Sequence, residues 1–178
     1  MLGHRLNMMD FLIAKRLRAA LVACAVVAIS SLAAAQTAPY AQVQRLIGAE
    51  QFDQALALAD GWLQNQPRDP QMRLLKGVIQ SQTQQTEAAL QTLTAITQEF
   101  PELPEPYNNL AVLHAQAGDL QQARVALEMA LRINPAYSTA QRNLGDIYVR
   151  LALQAYQQAQ QPELASRIDT LQQLTPKR

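Results

Sequence analysis

Beyond residue 35 the chain keeps one histidine, His114, and no cysteine, because His4 and Cys24 both lie before that point. Nucleophilic and metal centres are built from Cys, His and carboxylates held at set spacings. His114 has no nucleophile or carboxylate partner in its sequence neighbourhood, and no G-x-S-x-G, H-E-x-x-H, phosphate loop or G-x-G-x-x-G occurs. Disulfide, thiol and Cys/His metal chemistry are therefore excluded from this stretch. We expect no enzyme activity, no cofactor and no metal, and a packing role for His114.

The charge balance agrees. The 178 residues carry 15 Lys+Arg against 14 Asp+Glu, for a formal charge of +1. Without the first 35 residues, 11 basic and 13 acidic groups remain. Neither balance calls for nucleic acid as a partner. Glutamine is enriched, with 25 after residue 35. These residues stand between periodic apolar ones, so we read them as a neutral, solvated coat on outward helical positions.

The first 35 residues read as a leader. Lys15, Arg16 and Arg18 precede an uncharged run from Ala19 to Ala35, closed by Ala33-Ala34-Ala35. A positive n-region, an apolar h-region and an A-x-A end are the parts of a secretory signal peptide. Cleavage after Ala35 would start the mature chain at Gln36 in the periplasm, with Met8 or Met9 as alternative initiators. The alternative is an uncleaved inner-membrane anchor, although about 17 residues is the short end of what spans a bilayer. Leu21-Val22-Ala23-Cys24 has the residue types of a lipoprotein box, but its cysteine sits inside the apolar run rather than closing it.

The rest of the chain repeats. Pro67, Pro101 and Pro135 share one constant spacing, and Ala55, Ala89 and Ala123 share the same one. Asn109-Leu110-Ala111 returns as Asn143-Leu144-Gly145 at that spacing again, a period of 34. Three independent columns with one period mark a stack of supersecondary units. The pattern resembles the tetratricopeptide repeat (TPR). The unit 104–137 fits best, with Tyr107, Leu110, Ala111, His114, Ala123, Leu127, Ala130 and Pro135 in the landmark columns. The first unit carries Leu46, Phe52, Ala55, Ala59, Trp62 and Pro67, but its opening helix is short.

The resemblance implies an all-α, right-handed solenoid of antiparallel helix pairs, with about three and a half to four repeats. The expected organisation is a signal peptide (1–35), units 36–69, 70–103, 104–137 and a shortened 138–161, then a capping helix and tail (162–178). Gly77, Ala111 and Gly145 should be small because the two helices of a unit (A and B) cross closely there. The ladder prolines stop each B helix. Gly118-Asp119 makes a turn with Asp119 capping the next helix, and Asp53 is a second candidate cap. The fourth unit lacks about five residues at its turn, so its helices should fuse into a rod over 139–160. Leu164, Ile168, Leu171 and Leu174 should line one face of a final helix that seals the stack.

TPR proteins usually bind through A-helix residues on a concave groove. Carried onto this sequence, the groove residues are Asn108, Asn109, Val112 and Gln116 in the third unit. Arg142, Asn143, Asp146 and Arg150 follow in the fourth, and the resemblance implies that Arg142 and Arg150, with the amides of Asn109 and Asn143, hold a peptide carboxylate or backbone. The second unit contributes Leu74, Leu75 and Val78, so the groove should run from apolar to polar. The implied function is a non-enzymatic adaptor or scaffold of the bacterial cell envelope that binds a partner protein or extended peptide. The alternative is a self-associating module that stacks through its solenoid ends. Contact with a membrane is expected only through an uncleaved leader.

Overall fold

Between residues 46 and 137 the joints between helices recur one period later with the same backbone hydrogen bonds. Among the residues described by the computed structural model, 38–159 and 164–174, all secondary structure is helical. The chain falls into two units, Met1–Ala38 and Pro39–Arg178, and all eight described helices belong to the second. The expected leader, with its cleavage site and Cys24, lies outside the described residues, as do Gln160, Pro162 and the last four residues.

The helices are α1 (Tyr40–Gly48), α2 (Phe52–Asn65), α3 (Pro70–Gln82), α4 (Thr86–Glu99), α5 (Pro104–Gln116), α6 (Leu120–Ile133), α7 (Ser138–Ala159) and α8 (Ala165–Leu174). The odd-numbered helices are A helices, and α2, α4 and α6 are B helices. B helices stop two residues before Pro67, Pro101 and Pro135. In each case one last backbone bond closes the helix first: Gln66 N–H to Trp62 O, Phe100 N–H to Ile96 O, and Asn134 N–H to Ala130 O. The prolines end the ladder because they bring no donor and turn the preceding residue extended. Pro70 and Pro104 then open α3 and α5 at the helical position that needs no donor.

The turn from A to B is also periodic. The N–H groups of Gln51, Gln85 and Asp119 bond back to the carbonyls of Leu46, Gln80 and His114, at 2.8–2.9 Å. This closure needs a left-handed residue just before it. That place is held by Glu50 (φ 57°), Gln84 (φ 61°) and Gly118 (φ 84°). Only the third unit has the residue type that adopts this conformation without steric cost. Asp119 does cap α6, accepting from Gln122 N–H at 3.0 Å. Asp53 caps nothing: it lies inside the first turn of α2, whose N-cap is Gln51.

Packing joins neighbours into one apolar seam. Val43, Ala55, Ala59, Met72, Leu75 and Ile79 bury together at the first end. Ala89, Leu93, Ile96, Leu110 and Leu113 fill the middle, and Ala111, Ala123, Leu127, Ala130, Ala140 and Ile147 the far end. A helices also pack on the next A helix, α1 on α3, α3 on α5 and α5 on α7. B helices make no contacts of comparable extent with one another among the described residues. The A helices therefore form the inner, shorter side of the stack.

Two expectations change here. The rod forms, with α7 running unbroken for 22 residues. As a result no B helix folds back at the usual level, and Gly145 is exposed with nothing within 4 Å of where its Cβ would be. The close crossing belongs to Gly77, where a Cβ would lie 2.9 Å from Leu93 Cδ2. The closing helix is thinner than expected as well: Leu164, Ile168 and Leu171 are half-buried, while Leu174 is 62% exposed.

The two glycines should therefore respond oppositely to one substitution. Gly77→Leu overpacks a fully buried site and should cost about 2–3 kcal/mol. Gly145→Leu meets open space and should be neutral or stabilising by up to about 1 kcal/mol through helix propensity. Thermal melts of the two variants compare the effects directly.

Candidate functional site

On the inner side, the repeat columns place side chains of successive A helices in rows. The first row is Tyr40, Leu74, Asn108 and Arg142, and the second is Leu75, Asn109 and Asn143. A third holds Val78, Val112 and Asp146, and a fourth Gln82, Gln116 and Arg150. Read along the stack, the wall passes from aromatic and aliphatic through carboxamide to charged. It is one surface because its helices pack side by side.

The structure brings the predicted residues together but commits several of them to one another. Asn108 is only 5% exposed, and its Oδ1 accepts from Asn143 Nδ2 at 2.8 Å, joining the third and fourth units. Asn109 Nδ2 donates to Glu105 O at 2.8 Å. Arg150 donates from Nη2 to Ala115 O at 3.0 Å, again across units. Asn108, Asn143 and Arg150 thus cross-link the wall. Val112 and Asp146 are half-buried, and Gln116 is exposed. Arg142 is exposed and has no carboxylate partner among the described residues, which leaves its full set of donors turned to solvent.

The first end of the wall holds a cluster that the sequence reading missed. Asp69 Oδ2 accepts from Tyr40 Oη at 2.6 Å and from Trp62 Nε1 at 2.7 Å. Its Oδ1 accepts from Met72 N–H at 3.0 Å, capping α3. One carboxylate therefore ties α1, α2 and α3 together. Burial pushes its pKa up, but the bonds from Tyr40, Met72 and Trp62 outweigh that and leave it below the ordinary carboxylate value. Burial first, then the bond to Asp69 and its charge, push the Tyr40 hydroxyl up to about 12. A signal was present in the sequence: Tyr40 stands one full period before Leu74, in the wall's first column.

His114 is half-buried on α5, one helical turn beyond Ala111 on the side that faces helix B. In the unit before, the same position is Gln80, 7% exposed and accepting from Thr92 Oγ1 at 2.9 Å. This glutamine is thus an interior bridge rather than part of the solvated coat. Among the described residues no group of His, Cys, Asp and Glu is placed to hold a metal ion. Among them, too, no helix is long and apolar enough to cross a membrane.

Replacing Asp69 tests the cluster. Asp69→Asn keeps an oxygen for the Met72 N–H but loses the second acceptor, and should cost about 1–3 kcal/mol. In the parent, the depressed carboxyl contributes stability that is complete above its unfolded value and is lost as pH falls through the folded one. The raised Tyr40 contributes below pH 10 and loses its contribution as pH climbs from 10 to about 12. Denaturant midpoints across pH should show both losses in the parent; in the variant the acid loss should be gone and the alkaline one smaller, because the burial of Tyr40 remains.

Comparison with known proteins agrees with this geometry. Two family models, both described as tetratricopeptide repeat, match residues 46–113 and 104–137, together more than half of the chain. No curated protein matches. Among solved structures, a thermophilic TPR protein of Thermus thermophilus, TTC0263, is 23% identical with a TM-score of 0.59, covering 75% of this chain and 79% of that one. The first TPR of Spaghetti (RPAP3), bound to the HSP90 peptide SRMEEVD, is 14% identical with a TM-score of 0.57, covering 62% and 88%. A chain of Naa15/Naa10 bound to HypK-THB is 19% identical with a TM-score of 0.59 over 72% of this chain, which spans only 19% of its length. At these identities the structures show the shared fold. With the helix pairs, the proline joints and both family models in agreement, the chain belongs to the tetratricopeptide repeat family.

Proposed function

We propose that this protein is a non-enzymatic adaptor of the bacterial cell envelope, holding a partner protein or an extended peptide along its inner wall. TPR proteins typically mediate protein–protein interaction without catalysis, and the Spaghetti repeat is one that holds a peptide. The observation that carries the reading is the graded wall. Leu74 and Val78 offer apolar contact at one end, and Arg142 offers an exposed cation at the other. Between them, cross-linking by Asn108, Asn143 and Arg150 fixes the spacing of the A helices before any partner arrives. A preformed wall costs less to bind, because less has to be ordered. The leader pattern supports the envelope as its home, with the periplasm as the compartment.

Capture should follow the wall. A photoreactive residue placed at Val78 or Arg142 in living cells should attach a partner protein, whereas one at Gln91 on the outer face of α4 should not. Attachment only from the outer position would contradict the reading. Arg142→Glu should weaken capture about tenfold, ~1.4 kcal/mol, with an unchanged melting temperature. Arg150 is a poorer probe, because its bond to Ala115 O makes reversal there a structural change. Export has its own check: the protein recovered from fractionated cells should begin at Gln36. Recovery of the intact leader in the cytosol would remove the proposed compartment while leaving the wall untouched.

A further inference from the structure

Much of the polar chemistry on the inner wall is already spent. Asn143 Nδ2 donates to Asn108 Oδ1 at 2.8 Å, and Arg150 Nη2 donates to Ala115 O at 3.0 Å. Arg142 is different: it is exposed and has no carboxylate partner among the described residues. Asp146, one helical turn further along α7, takes part in no ion pair among them either. Asn109 gives one N–H to Glu105 O and keeps its Oδ1 and second N–H. Towards the first end, Leu74 and Val78 on α3 and Val112 on α5 are half-buried, so each keeps part of its aliphatic surface in reach of a ligand. The helices that carry these groups, α3, α5 and α7, pack side by side. At about 9 Å per helix step, Leu74 and Arg142 stand about 18 Å apart along the wall. An extended chain at ~3.3 Å per residue covers that span in about five or six residues.

We propose, resting on the adaptor reading above, that the wall holds the interior of an extended segment with one acidic side chain. That acid meets Arg142, and an aliphatic side chain about five or six residues away meets Leu74 and Val78. The charges select a single carboxylate. The guanidinium of Arg142 offers it a fork of donors, while Asp146 one turn away repels a second acid beside it. The spent donors select mid-chain over chain end. A terminal carboxylate is gripped by several converging donors, and here Asn143 and Arg150 already serve the joints between units. Asn109 selects extended backbone. Its free Oδ1 and N–H match the carbonyl and N–H that an extended chain presents, whereas a helix has used both within itself. Register follows from the two ends together. Shifted along the wall, the acid would lose water against Leu74 and Val78 with no donor to replace it.

Two phage libraries of random segments, about twelve residues long or twice the required span, test this on the purified full chain. One displays the segments mid-chain, and in the other they end in a free carboxylate. The mid-chain library should yield sequences with one Asp or Glu and an aliphatic residue about five or six positions away. A synthetic peptide of that sequence, capped at both ends, should bind the parent, and Asn or Gln in place of its acid should weaken it about tenfold. Arg142→Glu should weaken the acidic peptide about tenfold at an unchanged melting temperature, and should favour the same peptide with Lys in place of the acid. Val78→Ser should weaken both peptides, and Gln91→Glu, on the outer face of α4, neither. Enrichment without an acid, binding indifferent to Arg142→Glu, or binding of free-carboxylate segments alone would overturn the proposal. If neither library yields a binder while a photoreactive residue at Val78 still attaches a partner, the segment class is overturned and the adaptor reading stands. If that attachment fails as well, both fall.

Discussion

The structure depends on burial shared between neighbouring helix pairs. A single pair of about 30 residues leaves one apolar face uncovered and cannot offset the entropy of ordering its own chain. Here each core cluster draws on more than one unit: Met72 and Ile79 of the second unit complete the core begun by Val43 and Ala55 of the first. Leu110 and Leu113 of the third sit with Leu93 of the second. Ala140 and Ile147 of the fourth close over Ala123 and Leu127. Every other feature follows from that sharing. The joints must repeat because the seam repeats, and the inner wall is continuous because the seam fixes how far apart the A helices lie.

Wherever the repeat was regular, the structure was legible from the sequence. Pro67, Pro101 and Pro135 predict where B helices end, because a missing donor acts locally and needs no knowledge of the neighbours. Ala55, Ala89 and Ala123 predict buried contacts for the same reason, and all three are fully buried. The reading of Gly145 failed because a column holds only while its surroundings are repeated. Once α7 runs on as a rod, the helix that made the counterpart position tight is gone. Asp53 failed on a smaller scale: a capping residue works only at the N-cap, and α2 begins one residue before it. The Asp69 cluster escaped because its three donors come from three helices, a meeting that spacing along one helix does not reveal.

The candidate wall shows the same division. The columns line these residues up along the wall, yet they did not say which would be used up in holding the wall itself. Asn108, Asn143 and Arg150 reach across from unit to unit, so their side chains serve the spacing of the helices. Arg142, with no carboxylate partner among the described residues, is left to meet solvent or a partner. The two ends of the stack also differ in kind. Asp69 locks the first end with Tyr40 and Trp62, whereas the last end exposes Tyr148 and Leu174.

Native-state hydrogen exchange followed residue by residue tests the shared seam most directly. Protection in a stack of mutually dependent units should be highest in α4, α5 and α6, which have neighbours on both sides. It should fall toward α1 at one end and α8 at the other, and denaturant should erode it from both ends inward. Equal protection in every unit, or a unit that exchanges independently of its neighbours, would contradict the account.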